Sequence, residues 1–305
     1  MNLDNDKKLF DQIITRVSEK LNIDETIVEK DYYVTKMLKM LIEAEPNIIF
    51  KGGTSLSKCY KLIDRFSEDI DLNYDSRGER LTDGIRKRIS KVIKGIGEEM
   101  GVELMNQHEL RSRRDFNKYI FDYKATYIAN AVNALLIVEM AVMINSFPTE
   151  TISADSYIYQ VLLKEGLYDL IAKYELEPFE VTVQTKERTF VDKVFAICDY
   201  YMSNKIKEHS RHLYDLYKLY PEVKDNQRLA ELVEEVREAR VNNKFCLSAQ
   251  SGCVLTDILE EIISKEAYKD DYQEITQGLL FEQVEYKQVI DNLRIIILMG
   301  IWDNH

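Results

Sequence analysis

The sequence predicts an α+β fold, in which a mixed β-sheet flanked by helices is followed by a helical C-terminal region. Three observations support this prediction. Residues 48–74 read as a strand, a short helix and a second strand, and the apolar run at 134–144 predicts a central strand covered on both faces. Residues 186–305 carry helical patterns with no further strand. The predicted domains are therefore a sheet-containing core at 1–185 and a helical domain at 186–305.

The composition is typical of a helix-rich protein. The chain has 305 residues, 45% of them hydrophobic, with only four prolines and eleven glycines, so it can bury a sizeable core. Its longest apolar runs are too short to span a bilayer, and its N-terminus lacks the apolar run of a signal peptide. The four cysteines form no C-x-x-C pair. We therefore expect a reduced cytoplasmic protein with no structural metal and no membrane partner.

Two amphipathic helices are predicted at the N-terminus, over residues 6–20 and 25–43. Apolar residues recur at helical spacing in both, and Asp24 is a suitable N-cap for the second. The second helix contains the charged triplet Glu29, Lys30 and Asp31. From the residues alone this triplet could equally be a surface charge cluster, so no catalytic role is assigned to it.

Two aspartates mark the second strand of the 48–74 unit. Side chains alternate across a strand, so Asp69 and Asp71 share one face while Ile70 and Leu72 point to the other. Two neighbouring carboxylates repel each other unless a positive charge lies between them. Mg²⁺ is the usual occupant, because it binds one or two carboxylates together with substrate phosphates. The strand is therefore a candidate metal site.

A double glycine precedes the short helix of the same unit. Gly52 and Gly53 let the backbone approach a ligand closely, and the helix that follows opens with Thr54 and Ser55. Unpaired backbone N–H groups at a helix start favour an anion. A phosphate-binding turn beside metal-binding aspartates is an arrangement that handles a nucleoside triphosphate.

Charge is distributed unevenly along the chain. The net charge is −12, which argues against indiscriminate nucleic-acid binding. Residues 77–94 nevertheless hold seven basic and two acidic residues, a local balance of +5. A helix is predicted over 82–95, and its basic residues could receive an RNA backbone. The alternative is a solvated helix face. The candidate RNA-binding residues are Arg86, Lys87, Arg88 and Lys91.

Glu139 is the one acidic residue in the apolar strand predicted at 134–144. An unpaired carboxylate in a buried strand costs several kcal/mol, so it must be paired, neutral or bound to metal. We expect Glu139 to be a third metal-binding carboxylate beside Asp69 and Asp71. The alternative is a side chain that reaches water or a basic partner.

Two helices carry the remaining candidate residues. Thr189 and Asp192 fit a capping box, which predicts a helix start at Thr189 with Lys193 in its first turns. A second helix is predicted over 211–220, closed by Pro221. Spacing in that helix favours a surface pair of Asp215 with Arg211. The helices predicted beyond residue 225 show no residues that suggest chemistry.

Four separated blocks of the chain resemble the AbiEii/AbiGii toxins, a family of nucleotidyltransferase-like toxins of bacterial type IV toxin–antitoxin and phage-abortive-infection systems. The blocks are Glu29-Lys30-Asp31-Tyr32, Gly52-Gly53-Thr54-Ser55-Leu56-Ser57-Lys58 with Arg65-Phe66-Ser67-Glu68-Asp69-Ile70-Asp71-Leu72, Thr189-Phe190-Val191-Asp192-Lys193, and Arg211-His212-Leu213-Tyr214-Asp215-Leu216. Fifteen residues separate Gly53 from Asp69. This spacing is longer than in many nucleotidyltransferases, although it suits the toxin family.

The resemblance implies a nucleotidyltransferase core and a set of site residues. Lys193 and Asp215 occupy the positions of the family's active-site lysine and aspartate, and they are expected to reach a cleft between the two predicted domains. The catalytic set is Asp69, Asp71, Lys193 and Asp215, and the nucleotide-binding set is Gly52, Gly53, Thr54, Ser55 and Lys58. The implied cofactor is Mg²⁺ or Mn²⁺, the substrate an NTP, and the acceptor RNA, with the tRNA 3′ end favoured. A separately encoded antitoxin would reverse the block in translation.

Two other functions are compatible with the same residues. The protein could transfer a terminal phosphoryl group to another protein or to itself, with Thr54 and Ser55 as targets. It could also be a non-catalytic module that senses a nucleotide and binds a partner protein.

Overall fold

The computed structural model describes residues 2–78, 80–111, 113–128, 134–142 and 146–303. The chain forms two compact units. The first comprises Met1–Tyr60 and Ser67–Val183, and the second comprises Lys61–Phe66 and Gln184–His305. The first contains a β-sheet with helices and the second is helical, so the predicted α+β fold is confirmed. The short segment Lys61–Phe66 was not expected to leave the first unit.

A mixed sheet forms the centre of the first unit. Over the described residues its strands are β1 (Ile48–Lys51), β2 (Asp69–Tyr74), β3 (Glu103–Leu104), β4 (Phe116–Asp122), β5 (Leu135–Ala141), β6 (Thr149–Ala154) and β7 (Phe179–Gln184). Their order is β3-β4-β5-β2-β1-β7-β6. Strand β2 runs antiparallel to β1 and parallel to β5, and β1 runs parallel to β7.

The alternation predicted for β2 is present in the structure. Ile70 and Leu72 are fully buried, whereas Asp69 and Asp71 are partly exposed on the other face. The strand predicted at 134–144 is β5, which lies between β2 and β4 and buries Leu136 and Val138. The last two residues of that prediction, 143 and 144, lie outside the described residues. The face of these strands that carries Asp69, Asp71 and Glu139 is only partly exposed, because Ile137 on the same face is buried.

Six helices accompany the sheet over the described part of the first unit. They are α1 (Lys7–Leu21), α2 (Glu25–Ala44), α3 (Gly52–Lys58), α4 (Asp83–Glu99), α5 (Tyr157–Lys164) and α6 (Tyr168–Lys173). Asp24 caps α2 as predicted, because its Oδ1 accepts a 2.8 Å hydrogen bond from Thr26 N. Of the interpretations left open for the charged triplet of α2, the surface charge cluster does not hold, since Glu29, Lys30 and Asp31 are all buried.

The described part of the second unit contains six further helices. They are α7 (Lys186–Met202), α8 (Arg211–Val223), α9 (Leu229–Val241), α10 (Leu255–Ser264), α11 (Lys269–Asp271) and α12 (Tyr286–Ile297). Short 3-10 turns at Leu247–Ala249 and Gln277–Leu279 and a π turn at Tyr272–Thr276 connect some of them. Across the described chain, no helix is long and apolar enough to cross a membrane.

Two predicted helix boundaries differ from the structure. Helix α7 begins at Lys186 and is capped by Thr185, whose Oγ1 accepts from Arg188 N at 3.3 Å, so the capping box at Thr189 is wrong. The cap four residues earlier places Lys193 beyond the first turn. Helix α8 continues through Pro221 to Val223, so the predicted stop at Pro221 lies inside the helix.

The segment Lys61–Phe66 pairs with the loop that precedes α12. Phe66 N donates to Leu279 O at 3.0 Å, and Phe281 N donates to Asp64 O at 2.9 Å. Arg65 and Leu280 form an antiparallel bridge. This six-residue segment is therefore an integral strand-like part of the second unit, although it is encoded between α3 and β2.

Candidate functional site

The double-glycine turn and the Asp-x-Asp strand are in direct contact. Lys51 pairs with Asp71 in the antiparallel register of β1 and β2, so the turn after β1 starts beside the Asp71 carboxylate. Gly52 has a φ of +78°, and a Cβ at this position would lie 2.0 Å from Asp71 Oδ2. Glycine adopts this backbone conformation readily and leaves room for the carboxylate. The double glycine and the Asp-x-Asp strand, each a weak indication of a nucleotide site by itself, thus lie together in one arrangement.

Asp71 belongs to a row of four charged residues across four neighbouring strands. The register pairs Lys51 with Asp71, Asp71 with Glu139, and Glu139 with Lys118. Residues directly opposite each other in a sheet project from the same face. The row therefore places two carboxylates between two lysines, and Asp69 lies on the same face as Asp71.

Glu139 forms an ion pair with Lys118, whose Nζ lies 3.0 Å from Glu139 Oε1. Partial burial acts to lower the pKa of Lys118. The hydrogen bond and charge of Glu139, together with the charges of Asp69 and Asp71, outweigh burial and raise that pKa. Lys118 is therefore a stable cation beside the three carboxylates.

The sequence predicts a metal site formed by Asp69, Asp71 and Glu139, whereas in the structure Glu139 is paired with Lys118. Among the residues that the structure describes, no group of three or more His, Cys, Asp and Glu is placed to hold a metal. Glu139 has instead the basic partner that was the alternative at the sequence level, which satisfies the need to neutralise a carboxylate on a central strand.

Asp69 and Asp71 still offer a donor set that fits a hard divalent cation. Both carboxylates project from one face of β2, and neither is fully buried. Mg²⁺ prefers oxygen ligands and keeps coordination positions for water and substrate phosphates. Two carboxylates beside a close-approach glycine therefore fit Mg²⁺ or Mn²⁺ that is held jointly with a nucleotide.

The polar side chains of α3 have internal partners. Thr54 and Ser55 are fully buried, with Thr54 Oγ1 3.0 Å from Ser67 Oγ and Ser55 Oγ donating to Gly52 O at 2.9 Å. The ammonium group of Lys58 is also buried and donates to Asp31 Oδ1 at 2.5 Å. These contacts fix α3 against its surroundings. They differ from the expectation that these side chains face a nucleotide.

Lys193 and Asp215 meet in the second unit, where Arg65 joins them. Lys193 Nζ lies 2.6 Å from Asp215 Oδ2, and Arg65 binds the same carboxylate through Nε at 2.7 Å and Nη2 at 2.8 Å. All three side chains are buried. Asp215 is completely buried, so the predicted surface pair with Arg211 is not its environment. Two cations around one anion give this cluster a net charge of +1.

Burial and charge shift the pKa values in this cluster in a consistent way. Burial acts to raise the pKa of Asp215, but the charges and hydrogen bonds of Arg65 and Lys193 outweigh it and hold that pKa well below its usual range. Burial lowers the pKa of Lys193; Asp215 opposes this shift and Arg65 adds to it. Asp215 is therefore ionised, and its charge opposes the loss of the Lys193 proton.

His212 lies next to this cluster, with its Nδ1 3.5 Å from Lys193 Nζ. Burial and the charge of Lys193 lower the pKa of His212 well below its ordinary value. The imidazole is therefore neutral at neutral pH. Its ring is nearly parallel to those of Tyr200 and His209, at centroid distances of 5.7 and 6.0 Å.

The four predicted RNA-binding residues of α4 fall into two groups. Arg86 Nη2 binds Asp115 Oδ1 at 2.6 Å, and Arg88 Nη2 lies 3.1 Å from Glu45 Oε2. Lys87 and Lys91 are exposed and one helical turn apart, so they lie on the same face. The two lysines are therefore better placed than the two arginines to receive an external phosphate.

Three residues at these sites were missed at the sequence level. Arg65 is part of the quoted Arg-Phe-Ser-Glu-Asp motif, but nothing in the motif indicates that it binds a residue 150 positions later. Lys51 directly precedes the double glycine, which was a usable signal. Nothing in the sequence singles out Lys118, and only the register with β5 reveals that it faces Glu139.

Comparisons with known proteins identify the family and the fold of the chain. A family model described as "Nucleotidyl transferase AbiEii toxin, Type IV TA system" matches residues 38–292. The chain is also similar to the solved structure of MenT4, a nucleotidyltransferase toxin from Mycobacterium tuberculosis H37Rv, with a TM-score of 0.64 and 16% sequence identity. That likeness covers 96% of this chain and 90% of the MenT4 chain, and it shows a shared fold. No curated protein sequence matches the chain.

Proposed function

Since the chain belongs to the AbiEii nucleotidyltransferase toxin family of type IV toxin–antitoxin systems, we propose that it transfers a nucleoside monophosphate from an NTP to the 3′ end of tRNA. The family assignment itself makes the protein a nucleotidyltransferase toxin with an NTP substrate and a cognate antitoxin. The proposal adds Mg²⁺ dependence, tRNA as the acceptor, and a block in translation as the toxic effect. These substrates imply a cytoplasmic site of action.

The observation that carries the proposal is the contact between the double glycine and the Asp-x-Asp strand. Gly52 places its backbone against Asp71, where any side chain would collide with the carboxylate. A turn that brings unhindered backbone to a metal-binding carboxylate suits a ligand that is both anionic and metal-bound. A nucleoside triphosphate has this chemistry.

Asp69 and Asp71 are the residues that would hold Mg²⁺ or Mn²⁺. A divalent cation bound there would supply Lewis-acid stabilisation of phosphate charge and lower the pKa of a bound hydroxyl. The protein's own contribution is to keep both carboxylates on one face of β2 and to neutralise Glu139 with Lys118. We assign Glu139 to this supporting pair rather than to the metal.

In the second unit, we propose that Lys193 binds phosphate charge and that Asp215 orients it. Both carboxylate oxygens of Asp215 are engaged, by Arg65 and Lys193, and its pKa is held well below the usual range. Such a carboxylate is a weak base at neutral pH, so the orienting role is favoured over proton abstraction. The net charge of +1 in the buried cluster favours an anionic ligand.

Incubation with tRNA and labelled nucleotide tests the proposal directly. Total tRNA, Mg²⁺ and each of the four α-³²P-labelled NTPs are combined with the protein, alongside an Asp69→Ala/Asp71→Ala variant. Label in tRNA, absent from the variant and from reactions with EDTA, is the expected result and identifies the preferred base. Label in other RNA but not in tRNA would contradict the proposed acceptor.

The same assay separates the two other functions. Label transferred to protein from γ-³²P-labelled ATP or GTP would indicate a phosphoryl transferase. The complete burial of Thr54 and Ser55 disfavours them as acceptors for self-modification. A nucleotide-sensing module would bind nucleotide, label nothing, and remain toxic as Asp71→Ala.

A further inference from the structure

Three consecutive charged residues of α2 are buried. The exposed fractions of Glu29, Lys30 and Asp31 are 1%, 0% and 6%. Successive residues of a helix point about 100° apart, so the three side chains leave α2 in different directions. Burial of three charges requires a partner for each, because an uncompensated buried charge is strongly destabilising. Their partners lie in three separate segments of the first unit.

Asp31 connects α2 to α3. Its Oδ1 accepts from Lys58 Nζ at 2.5 Å, and its Oδ2 accepts from Tyr157 N at 2.9 Å at the start of α5. Lys58 also donates to Thr35 Oγ1 at 2.6 Å, again on α2. The helix that follows the double glycine is therefore fixed at its C-terminal end by α2.

Lys30 connects α2 to the segment that enters β2. Its buried ammonium group forms an ion pair with the partly exposed Glu68, the residue that directly precedes Asp69. Burial lowers the pKa of Lys30, while the charges of Glu68 and Asp69 oppose that shift, so Lys30 lies within electrostatic reach of Asp69. The backbone at the start of β2, next to Asp69, is therefore connected to α2 through this ion pair.

Glu29 connects α2 to the segment after β4. Its two carboxylate oxygens accept from Thr126 N at 3.0 and 3.1 Å, and Oε2 accepts from Tyr127 N at 3.1 Å. Strand β4 carries Lys118, the partner of Glu139. Glu29 therefore fixes the segment that follows β4, the strand that carries Lys118.

We propose that Glu29, Lys30 and Asp31 are positioning residues that set the relative placement of α3, β2 and β4 around Asp69 and Asp71. The catalytic part of this inference rests on the proposed function. The triplet acts through Lys58, through Glu68, and through the backbone amides at 126 and 127. Its effect should therefore appear in the turnover rate rather than in the binding of nucleotide.

Hydrogen exchange measures the positioning without reference to activity. The variants are Lys30→Met, Asp31→Asn and Glu68→Gln; the Glu68 side chain is 23% exposed, so the last variant is expected to fold even where Lys30→Met does not. Lys36→Met is the matched control, since Lys36 lies on the same helix and binds Asp4 at 2.8 Å, away from these segments. We expect faster exchange over 66–74 in Lys30→Met and Glu68→Gln, and over 52–59 in Asp31→Asn. Lys36→Met should leave both segments unchanged.

Steady-state kinetics of the same variants measure the functional consequence. We expect kcat to fall about tenfold or more while KM for NTP changes less than about twofold. Lys36→Met should retain the wild-type kcat. An unchanged kcat in Glu68→Gln, or equal exchange changes in Lys36→Met, would overturn the inference. If the wild type labels no acceptor but the exchange changes are present, the positioning is supported and the proposed function alone fails.

Discussion

At the scale of single residues, Gly52 is the position where backbone conformation and site geometry depend on each other most directly. Its positive φ and the short distance from a hypothetical Cβ to Asp71 Oδ2 are two independent requirements for glycine. Gly101 shares the first requirement, with a φ of +70°, but nothing lies within 4 Å of its hypothetical Cβ. A side chain at Gly101 would meet backbone strain alone, whereas a side chain at Gly52 would meet backbone strain and a steric conflict with Asp71.

We predict that Gly52→Ala abolishes most of the activity, whereas Gly101→Ala does not. The alanine in Gly101→Ala should lower the free energy of unfolding by about 1–2 kcal/mol, the cost of a left-handed backbone. Gly52→Ala carries that cost and also displaces Asp71, which should reduce kcat/KM by about 100-fold. Urea unfolding and the tRNA labelling assay measure the two effects. Equal activity losses in the two variants would contradict the assignment.

The buried cluster of Arg65, Lys193 and Asp215 predicts that two variants differ in stability although both lose activity. Asp215→Asn leaves two buried cations without their anion and should lower the free energy of unfolding by about 3–5 kcal/mol. Lys193→Met instead leaves one balanced pair, Arg65 with Asp215, so stability should be unchanged or higher. Both variants should lose transferase activity.

Urea titrations of the two variants and of wild type provide the measurement. A loss of stability in Lys193→Met as large as that in Asp215→Asn would show that Lys193 is structural. Retained activity in Lys193→Met would remove it from the proposed mechanism.

At the scale of elements, the pairing of β5 with β4 decides the role of Glu139. A glutamate that binds Lys118 supports the site from outside, and changes to such supporting residues typically cost about 10- to 100-fold in activity. We predict that Glu139→Gln reduces kcat/KM about tenfold, whereas Asp71→Asn leaves no measurable transfer.

Mn²⁺ binding, followed by electron paramagnetic resonance in the absence of nucleotide, gives a second readout for the same variants. Glu139→Gln should retain Mn²⁺ affinity within about tenfold. If Glu139→Gln loses Mn²⁺ as completely as Asp71→Asn, Glu139 is a metal ligand, as the sequence alone suggested. Lys118→Met should behave like Glu139→Gln if the two residues act as a pair.

Helix α4 provides a separate prediction about RNA. Lys87 and Lys91 share an exposed face, whereas Arg86 and Arg88 are bound to acidic neighbours. Lys87→Ala/Lys91→Ala should weaken tRNA binding and reduce the slope of log affinity against log salt by about 1.5. Lys7→Ala/Lys8→Ala, which removes two exposed lysines of α1, is the control of equal charge. Equal slopes for the two double variants would exclude α4 as the docking face.

At the scale of the whole molecule, the sequence predicts much of the fold because local patterns determine it. The alternation in β2, the apolar run of β5 and the N-cap of α2 each reflect a rule about neighbouring residues. The contacts that define the sites join distant positions, such as Arg65 with Asp215 and Lys30 with Glu68. No local rule encodes these pairs. A buried triplet of charges and a surface cluster look identical until the partners are known.

The unusual spacing between Gly53 and Asp69 also has a structural explanation at this scale. Six of the fifteen intervening residues, Lys61–Phe66, belong to the second unit. Asp64 binds Lys218 at 2.6 Å, Arg65 binds Asp215, and Phe66 pairs with Leu279. The longer connection thus supplies the second unit with an arginine for its buried cluster.

Replacement of Lys61–Phe66 by six Gly and Ser residues in the full chain should therefore destabilise the second unit selectively. The replacement leaves Asp215 with Lys193 alone and removes the backbone pairing to the 279–281 loop. We predict faster hydrogen exchange in α8 and α12, with β1 and β5 unchanged, and loss of transferase activity. The same Gly and Ser replacement of the exposed five-residue turn 224–228, also in the second unit, should change none of these. Protection of α8 and α12 at the wild-type level after replacement of Lys61–Phe66 would show that the second unit is complete without this segment.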